Sequence, residues 1–168
     1  MIWFDIIISI IFIFVFIGGL RQGVFRSIFS FTSLIISIPV TGLLYHFLAG
    51  IFSFIHDENW SNFLGFLITF IVISVLLSLI FWIPTKIMKL GEGGILSAII
   101  GGVFALTGFC ISLVLFTILI ETYPVWNWLV GVLEGSQIVK VLLTIFGFIK
   151  FMLPETFRIA SLTLHYFI

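Results

Sequence analysis

Residues 62–83 read NFLGFLITFIVISVLLSLIFWI, a run without an aspartate, glutamate, lysine or arginine. As a helix rising about 1.5 Å per residue it reaches about 33 Å, enough to cross a hydrocarbon core of about 30 Å. Lipid offers backbone N–H and C=O groups no partners, so the helix, which satisfies them internally, is the expected state. Similar runs lie on either side: there is no charged residue between Arg26 and Asp57, or between Glu92 and Glu121. The N-terminal run, residues 6–20, is shorter, but Trp3 and Phe4 at an interface extend its reach to about 27 Å.

Composition supports the same reading. The chain is 62% hydrophobic and 8% charged, with a mean hydropathy of +1.40, against about 25% charged residues in a soluble domain. A water-soluble surface cannot be built from it. Seven basic and seven acidic residues cancel, and no basic run is present, so nucleic acid binding has no electrostatic footing. The single cysteine, Cys110, falls mid-span, where it makes neither an intrachain disulfide nor a cysteine metal cage and reads as a small apolar residue. Asp5 is the only early charge, and Gly18-Gly19-Leu20-Arg21 does not resemble a small-x-small cleavage site. The first run is therefore expected to stay in the mature protein.

The resulting expectation is an all-α membrane protein, a bundle of four transmembrane helices with a C-terminal interfacial amphipathic helix. The spans are set at 3–20, 27–48, 62–83 and 95–120, making residues 1–120 a membrane domain and 121–168 an external tail. Arg21 and Arg26 fill the first loop and Lys86 and Lys89 the third, whereas the second holds His56, Asp57 and Glu58. Positive loops face the cytoplasm, which puts both termini outside. Trp3, Trp60, Trp82, Trp126 and Trp128 all fall at span ends, the headgroup level that suits an amphipathic ring. Past Tyr123-Pro124, a helix over residues 136–152 would align Lys140, Thr144, Gly147 and Lys150 in one polar stripe, as on a helix lying in the interface. A fifth span is the alternative.

The candidate functional features are helix faces. Gly94, Ala98, Gly101, Ala105, Gly108 and Ser112 recur every three or four residues on the fourth span. Gly23, Ser27, Ser30, Leu34, Ser37 and Thr41 repeat that spacing on the second. Small side chains let helix backbones approach closely, and close packing is the main source of association in lipid, so spans two and four are expected to pack directly. The hydroxyls read either as interhelical or same-helix hydrogen bonds or as a polar path, and Pro39 with Gly42 offers a kink. Asp5 either caps its own helix or pairs with a neighbouring segment. His46 is the ionisable residue within a span, near its end.

Enzyme templates find no match: the chain holds no His-Glu-x-x-His, no second intramembrane aspartate and no Gly-x-Ser-x-Gly. The glycine-rich run Gly91-Glu92-Gly93-Gly94 reads as a flexible turn. No cofactor or metal is expected, and the expected partners are the lipid bilayer, further copies of the chain or other membrane proteins.

Trp3-Phe4-Asp5-Ile6-Ile7, then Arg21-Gln22-Gly23-Val24-Phe25-Arg26, a serine-rich second span and a glycine-rich fourth span together resemble the colicin V production protein family of bacterial inner-membrane proteins. The resemblance covers about residues 1–120, with Asp5, Arg21, Gly23 and Arg26 as its motif positions. It implies a four-span protein needed for colicin V production or export, or for envelope maintenance. It also implies a membrane platform.

Overall fold

The computed structural model describes residues 2–50, 57–87 and 94–153, all of them helical or connecting, with no strand among them. Helix α1 covers Ile2–Ala49, α2 Glu58–Ile87, α3 Ile95–Thr122, α4 Asn127–Glu134 and α5 Gln137–Phe146, followed by a 3-10 segment, Gly147–Met152. Three of these helices are long and apolar enough to cross a membrane, over Trp3–Phe47, Asn59–Phe81 and Ile95–Thr122.

Helix α1 is two helices joined at one residue. Straight, its 48 residues would extend about 72 Å, more than twice a hydrocarbon core. Gly23 breaks it with φ 74° and ψ 170°. The ring of Phe12 meets Phe109 at 5.7 Å, and that of Phe31 meets Phe104 at 5.5 Å. Phe12 and Phe31 would stand about 28 Å apart along a straight helix, yet both touch the same two turns of α3. The halves therefore fold back on each other at Gly23, residues 2–22 running antiparallel to α3 and residues 24–49 parallel to it. A first loop over residues 21–26 was expected. Only Gly23 leaves the helix, because Arg21, Gln22, Phe25 and Arg26 are all compatible with helix and glycine alone tolerates positive φ at little cost. Pro39 lies inside the second half without any residue there leaving helical geometry.

Helix α2 runs antiparallel to the second half of α1. Phe81 stacks on Phe29 at 5.6 Å, the Ser74 hydroxyl donates to Ser37 Oγ at 3.2 Å, and Phe66 meets Tyr45 at 5.7 Å. These contacts fix which residues share an end of the bundle. Arg21, Arg26 and the last turn of α2 lie together. At the opposite end, Trp60 and Phe63 meet Trp126 at 5.3 and 6.1 Å, and Asp5 reaches Ser136. His56 and Lys89 lie outside the described residues.

The densest core is at this second end. Ile111, Val114, Ile118, Leu119 and Ile120 of α3 pack with Tyr45, Phe66 and the tail residues Leu133, Val139 and Ile149, all buried. The outward face is as apolar as the core: Ile13, Phe14, Leu43, Ile80 and Leu96 are among its exposed residues. Such a surface suits lipid, not water. The tail departs from the single helix expected over residues 136–152. The α-helix stops at Phe146 and tightens to 3-10 from Gly147, glycine being a poor helix former and 3-10 turns being common at helix ends. Helix α4 and the segment Gln137–Met152 meet at an 80° bend, the geometry of a broken span or a re-entrant loop.

Candidate functional site

Three places bring chemistry-bearing or packing residues together. The first is the crossing of α3 over the Gly23 turn. A Cβ built on Gly101 would stand 2.8 Å from the carbonyl carbon and oxygen of Gly23 and 2.9 Å from the Gly19 oxygen. One on Gly19 would meet Ala105 Cβ at 2.6 Å and the Gly101 oxygen at 2.8 Å, and one on Gly102 would meet Phe16 at 2.7 Å. Backbone thus lies on backbone, and only glycine fits. The turn frees amides from the α1 ladder, and the Val24 N–H donates instead to Ser97 Oγ at 3.2 Å.

The small-residue stripe of α3 divides over its neighbours. Gly101 and Ala105 meet the end of the first half of α1, whereas a Cβ built on Gly108 would meet Phe31 of the second half at 3.7 Å. Ser112 turns its hydroxyl back to the Gly108 carbonyl at 3.0 Å, and Ala98 is half-buried. A Cβ built on Gly94 would meet nothing within 4 Å, so no close crossing depends on glycine there. Gly19, Gly102 and Ser97, which complete the crossing, were not singled out from the sequence. The Gly18-Gly19 pair on span one was the available signal, being a second small-residue site next to a turn.

The second place is the hydroxyl face of α1. Ser27, Ser37 and Thr41 are buried, and Ser30 is exposed. Ser37 donates to the Leu34 carbonyl at 2.8 Å while accepting from Ser74. Thr69, Thr107, Thr117 and Thr122 likewise bond back to their own helices. The buried hydroxyls of Ser27, Ser33 and Thr41 have no hydrogen-bond partner among the described residues. Beside this face a cleft of about 430 Å³ opens between α1 and α2, with Arg26, Ser30, Ser74 and Ser78 as its polar lining. Arg21 and Arg26 are both exposed, and His46 is exposed near the other end.

The third is a cap across the bundle. Ser136 is the N-cap of α5 and its Oγ accepts from the Val139 N–H at 3.2 Å. Its hydroxyl donates in a short hydrogen bond to Asp5 Oδ1, and the Gln137 N–H donates to Asp5 Oδ2 at 3.3 Å. Of the two expectations for Asp5, the structure has the pairing with a neighbouring segment. A carboxylate at a helix N-terminus complements its dipole and its unpaired N–H groups. Cys110 is a buried free thiol. Among the described residues no three His, Cys, Asp or Glu side chains gather where a metal could bind.

A long-helix bundle with an apolar exterior, crossed at glycines and capped by its own tail, defines a multi-pass helical membrane protein. The family model described as Colicin V production protein matches residues 4–147, and the chain belongs to that family. The match runs beyond the residues 1–120 read from the motifs, so it takes in α4 and α5 as well as the bundle. Comparison with curated proteins and with solved structures gives no match.

Proposed function

We infer that this chain is a non-enzymatic accessory or scaffold protein of the bacterial inner membrane, serving colicin V production and export or envelope maintenance. The observation that carries the reading is the family match over residues 4–147. In this reading the halves of α1, α2 and α3 make four crossings, and the tail from α4 onward lies at the outer interface. Both termini face outward. The pairing of Arg21 and Arg26 beside the short Gly23 turn supports that orientation, against Lys140 and Lys150 in the tail at the other end. The exposed Trp128, Val141, Ile145 and Phe151 of the tail suit contact with headgroups and acyl chains.

Deleting the gene from a colicin V producer and measuring secreted toxin, alongside survival in detergent or bile salt, tests this role. Wild-type secretion and wild-type survival in the deletion strain would refute it. A small oligomeric channel or transporter is the second reading, favoured by the unpartnered buried hydroxyls of Ser27, Ser33 and Thr41. It requires solute or ion flux into proteoliposomes, and a leak equal to that of empty vesicles excludes it.

A further inference from the structure

The cleft between the second half of α1 and α2 lies apart from the glycine crossing and from the Asp5 cap, with the Phe29–Phe81 stack in its wall. Arg26, Ser30, Ser33 and Ser37 recur at spacings of four, three and four, which places them on one face of the helix. Ser74 and Ser78 form the matching pair on α2, and the Ser74–Ser37 hydrogen bond ties the two faces together. Arg26, which lines the cleft, has neither a hydrogen bond nor an ion pair among the described residues, and the Ser33 hydroxyl, 2% exposed and unpartnered, lies behind the lining rather than in it. Among the described residues the lining holds no carboxylate. The cleft therefore has a cation, Arg26, at its outer end and the hydroxyls of Ser30, Ser78 and Ser74 along its length, with Phe29, Val75, Leu79 and Phe81 as its apolar wall. Arg26 stands less than one helical turn from Gly23, at the end of the bundle, where a headgroup would lie.

We propose that this cleft holds one anionic phospholipid, with its phosphodiester on the Arg26 guanidinium, its ester oxygens at the Ser30 and Ser78 hydroxyls, and one acyl chain along Val75, Leu79 and Phe81. The reading rests on the bundle spanning a membrane and not on its accessory role. A guanidinium donates two parallel N–H bonds to a phosphate, a match that a zwitterionic headgroup weakens with its own ammonium. The volume of about 430 Å³ takes the headgroup and part of one acyl chain, the remainder of the lipid staying in the bilayer.

Native mass spectrometry of the purified full chain in detergent, titrated with dioleoyl phosphatidylglycerol, dioleoyl phosphatidylcholine or inorganic phosphate, tests the site. One phosphatidylglycerol should remain bound per chain, phosphatidylcholine should be held ~10-fold more weakly, and millimolar phosphate should not displace the lipid. Arg26→Gln should weaken phosphatidylglycerol retention by ~10-fold, and Arg21→Gln, which removes an exposed charge outside the cleft, should not. Ser78→Leu fills the wall at an exposed position without changing charge, and should lower retention while thermal unfolding stays as in the wild type. Equal retention of the two lipids, equal behaviour of the two arginine variants, or displacement by inorganic phosphate would each overturn the assignment. The last would give Arg26 to a free anion.

Discussion

Gly101→Ala adds a single methyl group at the point where α3 crosses the Gly23 turn. That carbon would lie 2.8–2.9 Å from three backbone atoms, the carbonyl carbon and oxygen of Gly23 and the oxygen of Gly19. Carbon contacts are most favourable near about 3.5–4.0 Å, so the helices must part by roughly 0.7 Å or more. None of the three atoms is the end of a flexible side chain that could swing aside. A gap of that size forfeits a quarter to a half of the dispersion energy along the seam, and overpacking of this kind costs about 1–3 kcal/mol. The matched control is Gly18→Ala, one helix away, where an added Cβ meets nothing within 4 Å. Removing a glycine from a helix interior there should stabilise by up to about 1 kcal/mol. Thermal unfolding in detergent followed by circular dichroism resolves the pair, since 1 kcal/mol corresponds to about 2–4 °C in a chain of this size. Gly101→Ala should melt about 2–10 °C below the wild type and Gly18→Ala at or above it. Equal midpoints for the two variants would refute the backbone-on-backbone crossing.

Gly23→Ala forces an L side chain into a φ/ψ region open essentially to glycine alone and should cost about 1–3 kcal/mol, read by the same unfolding assay; an unchanged midpoint would mean that the turn does not depend on this conformation. Asp5→Ala removes the carboxylate that Ser136 and Gln137 donate to, costing about 0.5–2 kcal/mol, and amide exchange should rise at residues 137–140 while α2 is unaffected. Uniform protection across α5 in that variant would show that the contact does not hold the tail. Reporter fusions after residues 89 and 168 should report the cytoplasm and the exterior respectively, and a cytoplasmic signal from residue 168 would make the tail a further crossing.

The apolar spans were legible because a bilayer demands about 20 uncharged residues at a time, and residues 62–83 and 95–120 meet that demand without reference to any neighbour. Glycine spacing on α3 was legible for the same local reason. What the stripe touches was not. Gly101 meets Gly19 and Gly23, some 80 positions away, and no periodicity within α3 distinguishes the first half of α1 from the second. The fate of Asp5 was open for a related reason: its partner Ser136 looks like an ordinary N-cap in sequence, and only the packing of α5 against the bundle brings the two together. The tail was the least legible. Lysines spaced for one long amphipathic helix carried no sign that Gly147 would tighten the last turn, or that α4 and the next segment would meet at 80°.

The Gly23 turn also sets an order of assembly. Its two arms are joined without slack, so in the four-crossing reading they would enter the bilayer as one hairpin, whereas α3, the helix that both arms embrace, is synthesised last of the long helices. Until residue 105 has left the ribosome, the notch formed by Gly19 and Gly23 stands open to lipid and the Val24 amide lacks its Ser97 acceptor. A chain halted after α2 is therefore expected to leave that notch unfilled, since the bundle closes only when partners far apart in sequence meet.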